Sequence, residues 1–102
     1  MGVALDSIVS HGCIISGGRI TRSILSPGVR VNSYCEIDSS ILMNRVEIGR
    51  NSRIQRTIIP AGVVIPEDSV IGFDTEADRA RGYTVTDSGI VVVPPPPTAW
   101  IA

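Results

Sequence analysis

Between residues 42 and 59 the chain reads "LMNRVEIGRNSRIQRTII", and its aliphatic residues Leu42, Ile48, Ile54 and Ile59 stand six, six and five apart. A half-buried strand repeats every two residues and a helix every 3.6, so neither element alone produces this spacing. Extended in both directions, the spacing gives twelve positions: Ile8, Ile14, Ile20; Leu25, Val31, Ile37; Leu42, Ile48, Ile54; Ile59, Ile65, Ile71. All are Ile, Leu or Val, types that fill roughly three positions in ten, so the pattern is a true repeat of 17 residues in four copies.

A second column runs four residues after each anchor: Gly12, Gly18, Ile24; Val29, Cys35, Ile41; Val46, Ser52, Ile58; Val63, Ser69, Thr75. Hexapeptide repeats of this kind predict a parallel β-helix. Each hexad is a short strand and a turn, three walls make a triangular coil, and the third wall is one residue short. Both columns are expected to point inward, with coils stacked about 4.8 Å apart. The expected class is all-β: a left-handed parallel β-helix of about four coils. Its hand comes from the known form of this architecture, because the spacing does not dictate it. Outward positions agree with the register. Arg19, Glu36 and Arg53 share one column, and Arg30 and Glu47 another. Their alternating sign suits cross-strand neighbours and reads as a solvated ladder.

The chain of 102 residues is long enough for one small domain. It has nine arginines, ten acids and no lysine. That argues against a basic nucleic-acid-binding surface and removes lysine-based phosphate or Schiff-base chemistry. No apolar run approaches the roughly 18 residues of a membrane span. Cys13 and Cys35 lack metal or redox spacing, and no charged-then-apolar leader opens the chain, so a reduced, cytoplasmic setting is expected.

The ends depart from the repeat. Val3 and Ser7 fall on the third wall of a coil whose first two walls are absent, so more chain is expected upstream and self-association through residues 3–20 is predicted. "DTEADRARGY" reads as a turn or short helix ending at Gly82. "YTVTDSGIVVV" reads as two strands joined at residues 86–89, a hairpin. The prolines at 94–97 read as an extended linker before "TAWIA" and the lone Trp100. The expected division is residues 1–75 as β-helix, 76–93 as short helix and hairpin, and 94–102 as a proline-rich tail.

Few residues suggest chemistry. His11 is the only histidine; stand-alone β-helix acyltransferases use one as general base, but a lone histidine on a turn reads as solvated. Cys13 has no neighbouring base to activate it, and Cys35 falls in an inward column. No metal ligand set is visible. Arg22 and Arg56 share a coil position two copies apart, with Ser39 between them. With Arg45, Arg50 and Arg53 they form the candidate anion- or effector-binding edge. No catalytic residue is assigned.

The stretches "DSIVSHGCIISGGRITRSILSPGVRVNSYCEIDSSILM" and "IGRNSRIQRTIIPAGVVIPEDSVIG", with the ending "DRARGYTVTDSGIVVV", closely resemble the C-terminal domain of bacterial glucose-1-phosphate adenylyltransferases. The resemblance covers residues 5–93. It implies an enzyme that makes ADP-glucose and pyrophosphate from ATP and glucose 1-phosphate in glycogen synthesis. It further implies a tetramer, and a β-helix that serves assembly and effector binding. ATP and Mg²⁺ would be held by a separate N-terminal domain with a Gly-rich phosphate loop, lysines and an aspartate. The "ISGGRI" at 15–20 lies inside the repeat and is no such loop, so no cofactor is expected in this chain. Many regulated relatives carry an acidic and then a basic residue where Pro60 and Ala61 stand, and a basic residue soon after "GIVVV", where this chain has prolines. The alternatives are a stand-alone hexapeptide acyltransferase and a non-enzymatic β-helix interaction protein. The first usually shows more coils and a protruding histidine-bearing loop.

Overall fold

A computed structural model describes residues 3–95; Met1, Gly2 and residues 96–102, with Trp100 and most of the proline-rich tail, lie outside the described residues. The chain opens with β1 (Val3–Leu5), β2 (Ile8–Val9), β3 (Ile14–Ile15) and β4 (Arg19–Thr21). It continues through β5 (Ile24–Leu25), β6 (Arg30–Val31) and β7 (Glu36–Asp38), then β8 (Ile41–Leu42), β9 (Glu47–Ile48) and β10 (Arg53–Gln55). The last repeat holds β11 (Thr57–Ile59), β12 (Val64–Ile65) and β13 (Val70–Ile71). A short helix α1 (Thr75–Ala80) and strands β14 (Thr84–Val85) and β15 (Val91–Val92) follow.

Three parallel sheets form the walls. Sheet A is β1-β4-β7-β10-β13, sheet C is β3-β6-β9-β12, and sheet B is β2-β5-β8-β11 continued by β15 and β14. Every strand from β1 to β13 therefore pairs with its counterpart one coil away, which is the stacked solenoid the repeat predicts. Ile37 lies between Ile20 and Ile54, Leu42 between Leu25 and Ile59, and Ile48 between Val31 and Ile65. The ten anchors from Ile20 to Ile71 are all buried. The alternating Arg19–Glu36–Arg53 and Arg30–Glu47 columns are in register as expected.

The first coil differs from expectation. Ile8 and Ile14 were expected inside, but they point outward, 64% and 49% exposed. Val9 pairs with Leu25 and Ile15 with Val31, so these two take the inward anchor positions. Val3 likewise aligns with Arg19, leaving Ala4 in line with Ile20. The cause is a residue missing at the turn before Ile20. In later coils that corner turns through a left-handed residue, Tyr34, Asn51 or Asp68, with φ of 63°, 61° and 60°. The Gly17–Gly18 turn has no such residue among the positive-φ positions. Carrying the constant period upstream across this deletion slips the register by one, and a one-residue slip turns every side chain to the other face.

The short third wall also revises the second inward column. Ser23, Ser40 and Thr57 are buried there, while Ile24 and Ile41 point outward and Ile58 is only half-buried. Side chains alternate along a strand, so the residue two before each anchor points inward. In a six-residue wall that residue is also four after the previous anchor; in a five-residue wall it is three after. Gly12 sits at an exposed corner with φ 76° rather than inside.

The buried hydroxyls solve a backbone problem. Ser7 Oγ accepts the Ser23 N–H (3.1 Å), Ser23 Oγ the Ser40 N–H (3.0 Å), and Ser40 Oγ the Thr57 N–H (3.2 Å). Each hydroxyl also donates to the carbonyl two residues back in its own coil: Leu5, Thr21, Asp38 and Gln55. The tight corner leaves an N–H without a carbonyl above it, and the hydroxyl replaces that acceptor.

The two ends of sheets A and B are finished differently. At the lower end, β15 pairs parallel with β11 (Thr57 with Val91, Ile58 with Val92) and antiparallel with β14, the expected hairpin. Helix α1 is capped by Asp74, whose carboxylate accepts the N–H groups of Glu76 and Ala77. Its buried Asp78 accepts the Gly72 N–H at 2.9 Å, and Arg81 donates to the Val70 carbonyl at 2.8 Å. Two side chains thus occupy hydrogen-bonding groups at the edge of β13. Among the described residues, no helix is long and apolar enough to cross a membrane.

Candidate functional site

The five arginines of the expected edge are spread around the coil. Arg22 and Arg56 occupy the corner between sheets A and B, with φ of 48° and 47°, and Ser39 repeats the conformation between them at 51°. Arg45 is the left-handed residue of the corner between B and C, in line with Gly28 and Gly62. Arg50 precedes the left-handed Asn51 at the corner between C and A, and Arg53 projects from sheet A itself. The structure brings together only Arg22 and Arg53.

These two, with Arg19, line a groove of about 310 Å³ on sheet A, together with Glu36, Asp38 and Phe73. Asp38 holds Arg22 through both carboxylate oxygens, at 2.9 and 3.0 Å. Arg53 lies 3.8 Å from Glu36 and stacks 4.7 Å from the centre of the Phe73 ring. Two of the three cations are thus already committed to carboxylates, so an anion would meet a surface close to neutral. Arg45 lines a separate groove with Arg30 and Glu47, Arg50 one with Glu47 and Glu67, and Arg56 one with Ile41, Ile58 and Ile90.

The histidine and the two cysteines differ in burial. His11 is exposed beside the Gly12 corner. Cys13 is half-buried against the core, its thiol 3.2 Å from the Ser26 carbonyl. Cys35 is buried in the column expected for it, with its thiol 3.1 Å from the Gly49 carbonyl. Burial pushes the Cys35 thiol above its ordinary range, despite the backbone hydrogen bonds that favour the thiolate.

Sequence reasoning missed two columns. The hydroxyl ladder was visible as Ser23, Ser40 and Thr57 at the same 17-residue interval, one residue ahead of a column wrongly taken as inward. The outward column of sheet B runs Ile8, Ile24, Ile41, Ile58 in register. It is apolar where the central outward columns of sheets A and C carry Arg19, Glu36 and Arg53, and Arg30 and Glu47.

A three-walled solenoid of hexapeptide coils closed by a hairpin defines the class, and the chain belongs to the family described as GlmU-like, C-terminal hexapeptide, which matches residues 1–93. Among individual proteins it is 61% identical over 93 residues to the glucose-1-phosphate adenylyltransferase of Koribacter versatilis, covering 91% of this chain and 22% of that protein. It is 56% identical over 92 residues to that of Rhodopirellula baltica (90% and 21%) and 54% over 94 residues to that of Hydrogenovibrio crunogenus (92% and 22%). The chain thus spans about a fifth of the length of these relatives.

Proposed function

We propose that this chain is the assembly and regulatory β-helix of a glucose-1-phosphate adenylyltransferase, the enzyme that converts ATP and glucose 1-phosphate to ADP-glucose and pyrophosphate. The observation that carries this reading is the extent of the likeness: 61% identity runs over 93 residues, through coils, helix and hairpin alike. A shared hexapeptide repeat alone requires likeness only at the anchors. In this reading residues 1–75 form the coils, 76–93 the closing helix and hairpin, and 94–102 a tail. The partner is the catalytic domain of the same enzyme, which holds ATP and Mg²⁺. The whole works as a cytoplasmic homo-oligomer.

Effector binding takes a reduced form. Arg22 and Arg53 face one groove while Arg45, Arg50 and Arg56 each act from another, so a phosphorylated ligand is held by few unpaired charges, weakly and with strong sensitivity to salt. This chain has Pro60 and Ala61 where regulated relatives carry an acidic and then a basic residue, and prolines from 94 onward where they carry a further basic contact.

The test is a domain exchange. The matching segment of the Koribacter versatilis enzyme is replaced by this chain, and assembly and pyrophosphate release are measured. The expected chimera assembles and forms ADP-glucose, while the isolated chain forms none. A chimera whose two parts both fold, yet which stays dissociated and inactive, overturns the proposal.

A further inference from the structure

Where the terminal hairpin meets sheet B, a groove of about 380 Å³ keeps its polar groups apart from its apolar ones. The floor is aliphatic. Ile41 and Ile58 are neighbours in the outward column of sheet B, and Ile90 joins them from the hairpin. Ile41 and Ile90 are 36% and 37% exposed. The rim is polar. Ser39 and Arg56 occupy the corner between sheets A and B in successive coils, about 4.8 Å apart, and Ser88 comes from the hairpin turn. Among the described residues, the Ser39 and Ser88 hydroxyls and the Arg56 guanidinium have no protein partner. Asp87, on the same turn, neither lines the groove nor pairs with Arg56. Three free donor groups thus stand along one side of an apolar floor.

Both sides of the groove are held in place. Arg56 donates its backbone N–H to the Asp38 carbonyl at 3.0 Å and accepts the Val91 N–H at 2.9 Å, which ties its left-handed corner to the hairpin. A Cβ on Gly89 would stand 4.0 Å from Arg56 Nη1, so the guanidinium rests beside the turn. Thr86 closes that turn, accepting the Ile90 N–H at Oγ1 (3.1 Å) and the Gly89 N–H at its carbonyl (2.9 Å).

We infer that this groove binds a short-chain aliphatic monocarboxylate. The guanidinium is a planar fork that matches a carboxylate, and the two hydroxyls rotate to donate to its remaining lone pairs. The isoleucine floor takes the aliphatic body out of water. A phosphate ester is a poorer fit, because a dianion would meet a single cation above an apolar floor. The volume lies at the small end of the roughly 300–1,000 Å³ range of small-molecule sites, which suits a ligand of a few carbons rather than a protein segment. Every contributing group comes from this chain, so the site needs no catalytic domain. The ion pair stays in contact with water, and the dissociation constant is accordingly on the order of 1 mM.

Titration of the full chain with sodium hexanoate, followed through its amide NMR resonances and repeated with acetate, hexanol and inorganic phosphate, tests the site. Hexanoate is expected to saturate with a midpoint of about 1 mM and to move the resonances of Ile41, Ile58 and Ile90 most. Acetate lacks the aliphatic body and hexanol the charge, so each is expected to bind at least about fivefold more weakly. Arg56→Gln is expected to weaken hexanoate by a similar factor, and Ile90→Ser several-fold. Arg45→Gln, at the corner between sheets B and C, is expected to leave binding unchanged. The spectra of the unliganded variants show whether each is folded, and two different substitutions in the groove guard against the loss of one. Absence of saturation by about 20 mM hexanoate overturns the inference. So does binding that Arg56→Gln or Ile90→Ser, once shown to be folded, leaves unchanged, or a largest response beside Arg45. Inorganic phosphate binding more tightly than hexanoate overturns the ligand class. Movement of the same resonances on dilution alone, without hexanoate, overturns it in favour of a second copy as the occupant.

Discussion

Ser23 and Ser40 sit one above the other inside the corner between sheets A and B, and the hydroxyl of the first accepts the backbone N–H of the second at 3.0 Å. Both are 2% exposed. Serines at a buried corner would ordinarily be a cost, because a polar group removed from water must find a partner. Here the hydroxyl is itself the partner, replacing a carbonyl that the five-residue wall cannot supply.

Ser40→Ala is therefore expected to cost about 1–3 kcal/mol, because it leaves the Thr57 N–H unpaired in the core. Ser40→Thr keeps the oxygen, as Thr57 does one coil below, and should cost less. Urea unfolding of the two variants decides it. Equal stabilities would mean that water or a backbone shift serves the Thr57 N–H.

Ile48 is fully buried between Val31 and Ile65. Ile48→Asp places an unpaired charge in the middle coil and is expected to cost several kcal/mol or prevent folding. Glu47→Gln, on the adjacent outward position, is expected to cost under about 1 kcal/mol, since it removes only one member of a charge column that faces solvent, where Glu47 is half-buried. Comparable thermal shifts would contradict the register.

Two glycines with nearly equal φ should respond differently to alanine. Gly72 (φ 87°) lies against the coil above, where a Cβ would overlap the Gln55 carbonyl oxygen. Gly82 (φ 90°) has open space around it. Gly82→Ala is expected to cost about 1 kcal/mol, the strain of the left-handed conformation alone. Gly72→Ala adds displacement of a coil and should cost at least twice as much. Chemical denaturation of both proteins separates backbone strain from steric overlap.

The thiols give a pH-dependent readout. Cys35 has a folded pKa above its ordinary value of 9.0, because burial disfavours the thiolate. The sign follows: the stability linked to the neutral thiol is fully present below about pH 9 and is lost as pH rises through the higher folded value. Native protein at neutral to mildly alkaline pH is expected to take up one alkylating label, at Cys13, and a second only in denaturant. Rapid native labelling of Cys35 would show that the column opens far more readily than its burial implies.

Most of the architecture is legible in the residues themselves. An aliphatic side chain recurs wherever a stacked coil needs one, and the six-six-five interval is the perimeter of the triangle. What escapes is local. Ile8 and Ile14 satisfy the interval yet lie outside, because the Gly17–Gly18 turn drops one residue and the count does not reveal where. Ile24, Ile41 and Ile58 recur faithfully but face outward, because the interval fixes which residues are equivalent and not which way they point. Only the two-residue alternation counted back from Leu25, Leu42 and Ile59 settles that. The arginines were legible as a set but not as a place: Arg45, Arg50, Arg53 and Arg56 are close in sequence, yet a coil that turns every six residues carries them to different corners, while the distant Arg22 and Arg53 meet in one groove.

Asp78 and Arg81 have a consequence beyond local hydrogen bonding. A pile of near-identical parallel strands is geometrically one step from a fibril, since its last strand offers the next chain the same template it offered its own. By holding the Gly72 N–H and the Val70 carbonyl, these two side chains occupy the docking points that an incoming strand would use on sheet A. The short helix and its C-cap Arg81 thus leave sheet A no free hydrogen-bonding edge at Val70 and Gly72 for another chain to extend.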